Sequence, residues 1–94
     1  IEDTAFFNCP YLREVIMPNQ LQGIGNYAFE YCYNMNRFLI PHVRFLGNHL
    51  FDGCSQLSDI YYLGSPNEWR SIRINMQENR KLLMVRFYYN TVRQ

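Results

Sequence analysis

The sequence predicts an α/β solenoid, a right-handed coil with short parallel strands on a concave face, short helical turns or loops on the convex side, and a C-terminal cap. Three observations predict it. Cys9, Cys32 and Cys54 recur at separations of 23 and 22 residues, and other positions keep phase with them: Ile1, Ile24 and Leu46 open the units, and Ala5-Phe6, Ala28-Phe29 and Leu50-Phe51 follow. After each cysteine an apolar residue returns three, six and eight places on, in a period-two run that reads as a short strand. The last third of the chain abandons the pattern and instead carries a helix-start signal, as the end of a stacked array requires.

The repeats occupy residues 1–63 as three units, 1–23, 24–45 and 46–63. Within them "EVIM", "RFLI" and "DIYY" are the expected strands. Alternation then sends Val15/Met17, Phe38/Ile40 and Ile60/Tyr62 into the core, and Glu14/Ile16, Arg37/Leu39 and Asp59/Tyr61 outward onto the concave face. The "IGNYAF" portion is expected as a helical turn or tight bend on the convex side, with Phe29 and its equivalents plugging the core. Pro18 and Pro41 close the first two strands. The one-residue difference in period falls between proline and the next unit, where "PNQLQGI" is one longer than "PHVRFL", an insertion a loop tolerates.

Residues 64–94 are expected to close the array with a capping helix, a loop and a final strand. In "SPNEW" Ser65 is the N-cap, Pro66 the first helical residue and Glu68 the partner in a capping box. Trp69 and Ile72 can then fold onto the core. "RFYYN" at 86–90 aligns with "DIYYL" at 59–63, giving a further parallel strand with Phe87 and Tyr89 inward. The alignment makes one outward column Glu14, Arg37, Asp59, Arg86, alternating in sign, and opposite charges on adjacent strands favour that register by roughly 0.2–1 kcal/mol per pair. The neighbouring column is Ile16, Leu39, Tyr61, Tyr88. It reads either as ordinary cross-strand packing or as a shallow apolar-aromatic binding strip.

The unit Ile-Gly-x-x-Ala-Phe-x-x-Cys-x-x-Leu-x-x-Ile-x-Ile-Pro, most complete here as "IGNYAFEYCYNMNRFLIP" over residues 24–41, resembles the BspA-type (Treponema-type) leucine-rich repeat. The resemblance covers residues 1–63 and extends to "IYYLGSPNEWRSI", similar to the ending of such arrays. Glu2 stands where glycine is usual, Leu50 for alanine and Leu63 for proline. The resemblance implies a bacterial cell-surface or secreted protein that adheres to host matrix or cell-surface proteins. Because Ile1 already occupies the first place of a repeat, the chain is expected to be the C-terminal part of a longer array.

Composition narrows the function classes. An apolar fraction of 48% with 18% charged residues is that of a globular chain. Net charge of +1 supplies no basic field for nucleic acid or anionic lipid, and no apolar run approaches the roughly 20 residues of a membrane span. No signal peptide is visible in this segment. An odd number of cysteines cannot pair completely within one chain, and equivalent positions on one ladder suit a disulfide poorly. Cys9, Cys32 and Cys54 are read as small core residues. Zinc-type spacing is absent, and His42 and His49 read as surface or locally hydrogen-bonded residues. No catalytic residue, metal site or cofactor is therefore assigned. The expected function is non-catalytic binding of a protein partner through Glu14, Ile16, Arg37, Leu39, Asp59, Tyr61, Arg86 and Tyr88. Two alternatives stay open: a structural spacer that ends an array, and an accessory module of a larger enzyme.

Overall fold

The computed structural model describes residues 1–15 and 17–91; Ile16 and residues 92–94 lie outside the described part. Its backbone is organised by hydrogen bonds between equivalent positions of successive units. Thr4, Phe6 and Asn8 donate to Asn26, Ala28 and Glu30, and Tyr27, Phe29 and Tyr31 donate in turn to Asn48, Leu50 and Asp52, at 2.7–3.1 Å. Each turn thus satisfies the next one's orphan groups, which is how irregular backbone can be buried at no cost in unpaired polar atoms.

Two small parallel sheets flank these turns. β1 (Gly23–Ile24) pairs with a later strand, Phe45–Leu46; between them runs β2 (Arg37–Ile40), so the later strand is β3. β4 (Asp59–Tyr62) follows, then α1 (Pro66–Arg70), two 3-10 turns at Met76–Glu78 and Arg80–Leu83, and β5 (Arg86–Tyr88). The larger sheet has the order β2-β4-β5, with Arg37, Asp59 and Arg86 in one row and Leu39, Tyr61 and Tyr88 in another.

The first expected strand is a correction. Among the described residues Glu14, Val15 and Met17 belong to no strand, although Met17 is buried and Val15 half-buried. The pairing of the first unit with the second appears later, through the Gln20–His42 bridge and β1–β3. Before Pro18 the two units are offset by 23 residues, as in Thr4 N–H to Asn26 beside Tyr27. From Gln20 onward the offset is 22. A ladder that must absorb one residue at this point is locally disrupted, as at a bulge, and the segment 14–17 runs directly into that change. The "IGNYAF" portion, expected on the convex side, is a tight turn. Thr4, Tyr27 and His49 all have φ of 57–59°, and Asn8, Tyr31 and Gly53 have φ of 56, 62 and 77°, and left-handed residues spaced this closely stop a helix from forming.

The core is one contiguous cluster. Phe6, Phe29 and Phe51 stack along the array with centroids 5.2 and 5.9 Å apart, and Phe38 of β2 meets Phe29 and Phe51 edge-on at 4.8 and 5.0 Å. Turns this close leave no room at Gly25 and Gly47, which follow the opening Ile24 and Leu46. A Cβ on Gly25 would lie 2.5 Å from Asp3 N, and one on Gly47 2.6 Å from Asn26 N.

The segment after β4 lies over the third unit. Ser65, Pro66 and Glu68 form a complete capping box, so α1 starts at Pro66. Trp69 packs against Tyr62 at 5.4 Å and Phe87 at 4.9 Å, and Ile72 and Leu82 are buried. The main chain of the third unit is met by Arg73 O, which accepts from Leu46 N, and by Glu78 O, which accepts from His49 N at 2.7 Å. Asn79, 2% exposed, completes the closure with its side chain: Oδ1 accepts from Leu50 N, and Nδ2 donates to Gly47 O and Asn75 O, all at 3.0–3.1 Å.

Candidate functional site

The outward face of the β2-β4-β5 sheet carries Arg37, Leu39, Asp59, Tyr61, Arg86 and Tyr88, six of the eight residues singled out from the sequence. Alternation buries Phe38, Ile40, Ile60 and Tyr62 and leaves Arg37 and Tyr88 exposed, with Leu39 and Tyr61 half-buried between them. The rings of Tyr61 and Tyr88 stack at 4.7 Å with planes 13° apart, near the optimum for offset aromatic pairs. Leu39 lies in register beside Tyr61, so the row is a short apolar strip whose outer rim is the Tyr88 ring.

The charged row is unequal along its length. Asp59 Oδ1 accepts from Arg86 Nε at 3.0 Å and from the Tyr88 hydroxyl at 3.3 Å, and Oδ2 accepts from the Ser58 hydroxyl at 2.9 Å. The Ser58 hydrogen bond first, and then Arg86, hold the Asp59 carboxyl below its usual range. Arg37, one strand along, has no ion pair among the described residues; it edges an open dish with Arg13, Glu14, Asn36, Ser58, Asp59 and Tyr61. Glu14 reaches this dish from a segment that is not a strand, so it rims the surface without completing the row opposite Arg37. Ile16, the expected head of the apolar strip, lies outside the described residues.

The three thiols are free and differ in setting. Cys32 Sγ donates to Phe6 O at 3.3 Å and Cys54 Sγ to Phe29 O at 3.0 Å, each reaching back one unit. Cysteine recurs there because the slot is small and offers a carbonyl to a weak donor. Burial raises the pKa of both, that of Cys54 to about 11. Cys9, in the first unit, lies 3.9 Å from the carbonyl of Phe7 and is half-buried, packed against the edge of the core. Among the described residues no three His, Cys, Asp or Glu side chains are grouped as metal ligands, and no helix is long and apolar enough to cross a membrane.

The profile described as BspA type Leucine rich repeat region (6 copies) matches residues 1–93. The chain belongs to the BspA-type leucine-rich repeat family. No curated protein and no solved structure matches it. As a BspA-type chain it is a repeat module, and the residues that carry its repeat are those whose backbones and rings stack from unit to unit.

Two groups of this BspA-type module were not assigned a role from sequence. His49 lies between Asp52 and Glu78, 2.8 Å from each. The Asp52 partner is three residues away and could be read from spacing, whereas Glu78 comes from a 3-10 turn 29 residues on and could not. The second group is a row of exposed rings. Tyr31 contacts Phe7 and Tyr33, each at 5.9 Å, and Tyr27 stacks on His49 at 5.1 Å. The left-handed backbone at Tyr27 and Tyr31 turns these side chains out of the core, and no composition count reveals that.

Proposed function

We infer that the chain is a protein-recognition module, and that its recognition surface is the outward face of the β2-β4-β5 sheet. In this reading the fold is a right-handed α/β solenoid of three repeats, 1–23, 24–45 and 46–63, closed by a cap over 64–94, and the sheet lines its concave side. The observation that carries the reading is the Leu39, Tyr61, Tyr88 row. Its two stacked tyrosines are amphipathic, Tyr88 exposed and Tyr61 half-buried, and they are flanked by Arg37, which has no ion pair among the described residues. Rigid aromatics beside an arginine are the side chains that anchor protein interfaces. Family resemblance supports placing the module in a bacterial cell-surface or secreted protein, where the partner is a host matrix or cell-surface protein.

The test is binding of immobilised extracellular-matrix proteins by the chain and by the double variant Tyr61→Ser/Tyr88→Ser, with melting temperatures recorded for both. The expected result is a loss of affinity of at least about tenfold at nearly unchanged fold, since hot-spot aromatics contribute roughly 2 kcal/mol or more. Equal binding by the variant, or no binding by the parent chain, removes this surface from consideration. One observation favours a second reading, a spacer that ends an array: Asp59 is already satisfied within the chain by Ser58, Arg86 and Tyr88. A spacer predicts that the double variant changes stability slightly and binding not at all.

A further inference from the structure

Both histidines of the chain face the segment that closes the third unit. His42 Nδ1 is 3.7 Å from Glu68 Oε2 on α1, and His49 Nε2 is 2.8 Å from Glu78 Oε2 on the first 3-10 turn. Glu68 and Glu78 are the acidic residues of that segment, which is otherwise basic. Each histidine thus meets one of them, from a unit that lies earlier in the chain.

The His49 site demands a particular protonation state. Its Nδ1 lies 2.8 Å from Asp52 Oδ2, and its Nε2 lies at the same distance from Glu78. A neutral imidazole has one N–H and one bare lone pair, so it can donate to one carboxylate and must turn the lone pair on the other. An imidazolium donates to both. The charged and titratable groups that face the ring among the described residues are Asp52 from its own turn, Glu78 from the 3-10 turn and Tyr27, stacked at 5.1 Å from the preceding unit. Neither carboxylate has another ion-pair partner among them. The same residue anchors the closing segment through its backbone, His49 N donating to Glu78 O at 2.7 Å, and the next amide, Leu50 N, donates to Asn79 Oδ1 at 3.1 Å.

We propose that His49 is a proton-controlled latch: protonated, it fastens the Met76–Leu83 segment to the third repeat unit over Leu50, and deprotonated, it lets that segment loosen. The energetic sign follows from the two carboxylates. The Asp52 hydrogen bond first, and then the negative charges of Asp52 and Glu78, raise the folded-state pKa of His49 above its ordinary value. A raised folded-state value means that the latch contributes fully below the unfolded pKa and is lost as pH rises through the folded one. The latch lies outside the strands and is independent of whatever the sheet face binds.

The experiment is a titration of the His49 ring by NMR together with amide exchange of the full chain, read as protection factors so that the intrinsic pH dependence of exchange cancels. The expected midpoint for His49 lies above about 6.5. Protection at the amides of His49 and Leu50 should fall as pH rises through that midpoint, by up to about tenfold for each unit by which the pKa is raised. Thr91, whose amide donates to Tyr62 O, should keep its protection. In Glu78→Gln the new amide can donate to a neutral imidazole at any pH, so the fall should vanish; His49→Gln should abolish it as well. A His49 midpoint at or below about 6.5, a flat profile in the parent chain, or an undiminished fall in Glu78→Gln overturns the latch. Should His49→Gln not fold, the ring titration and Glu78→Gln decide the matter alone.

Discussion

Asn79 and the cysteines show how much single residues settle here. Asn79 is a polar side chain 2% exposed, and removing it strands two main-chain groups of the third unit, Leu50 N–H and Gly47 C=O. Asn79→Ala is therefore expected to cost about 2–4 kcal/mol in urea unfolding, and a loss under about 1 kcal/mol would mean that water replaces the amide. The thiols are expected to separate by reactivity. At pH 8 a thiol with its pKa at about 11 is ionised about one part in a thousand, so Cys54 should label only on unfolding, and buried Cys32 likewise, while half-buried Cys9 labels first. Mass mapping of the labelled sites checks this. Equal labelling of all three in native protein would contradict it. Three in-phase cysteines made the slot legible from sequence. The half-burial of Cys9 was not legible, because the same residue type stands there in phase with buried Cys32 and Cys54.

At the scale of elements, the strands were readable where two independent signals coincided. "RFLI", "DIYY" and "RFYY" alternate with period two and also alternate in charge across the row Arg37, Asp59, Arg86, and the pairing follows that register. "EVIM" has the same alternation, yet the described residues there form no strand. The signal that mattered was the extra residue before Gln20, which reads as a harmless loop insertion and acts as a break in the ladder. The helix start was readable because a capping box is a local device: Ser65 Oγ accepts from Glu68 N at 3.1 Å, and Glu68 Oε1 accepts from Ser65 N at 3.0 Å. With only five residues, α1 depends on that start. Ser65→Ala is expected to cost about 1 kcal/mol and to lower protection at the Trp69 amide, measurable by thermal melting and hydrogen exchange. The two 3-10 turns had no periodic signature, and what holds them in place is contact with a unit far away in sequence.

For the whole molecule, the titrating groups bound a window of stability. Asp59 is depressed chiefly by the Ser58 hydroxyl and Glu68 by the Ser65 backbone N–H, so their contributions are present above the ordinary carboxylate range and disappear as pH falls through the lowered values. His49 is raised, and its contribution disappears as pH climbs through the raised value. The two limbs overlap between the unfolded carboxylate and histidine pKa values. The melting temperature should therefore peak in mild acid, at about pH 4.5–6.5, with Asp59→Asn flattening the acid limb and His49→Gln the alkaline one. A maximum above about pH 8 would refute the assignment. The repeat architecture was legible at this scale because stacking constrains every unit alike, whereas a surface that meets a partner is under no such internal constraint and leaves no periodic trace. The closure by Asn79 has a further consequence. Its hydrogen bonds to the third unit, like those of the Arg73 and Glu78 carbonyls, go to main-chain atoms alone. Such bonds work as punctuation that ignores spelling: they hold whatever side chains the coil beneath them carries.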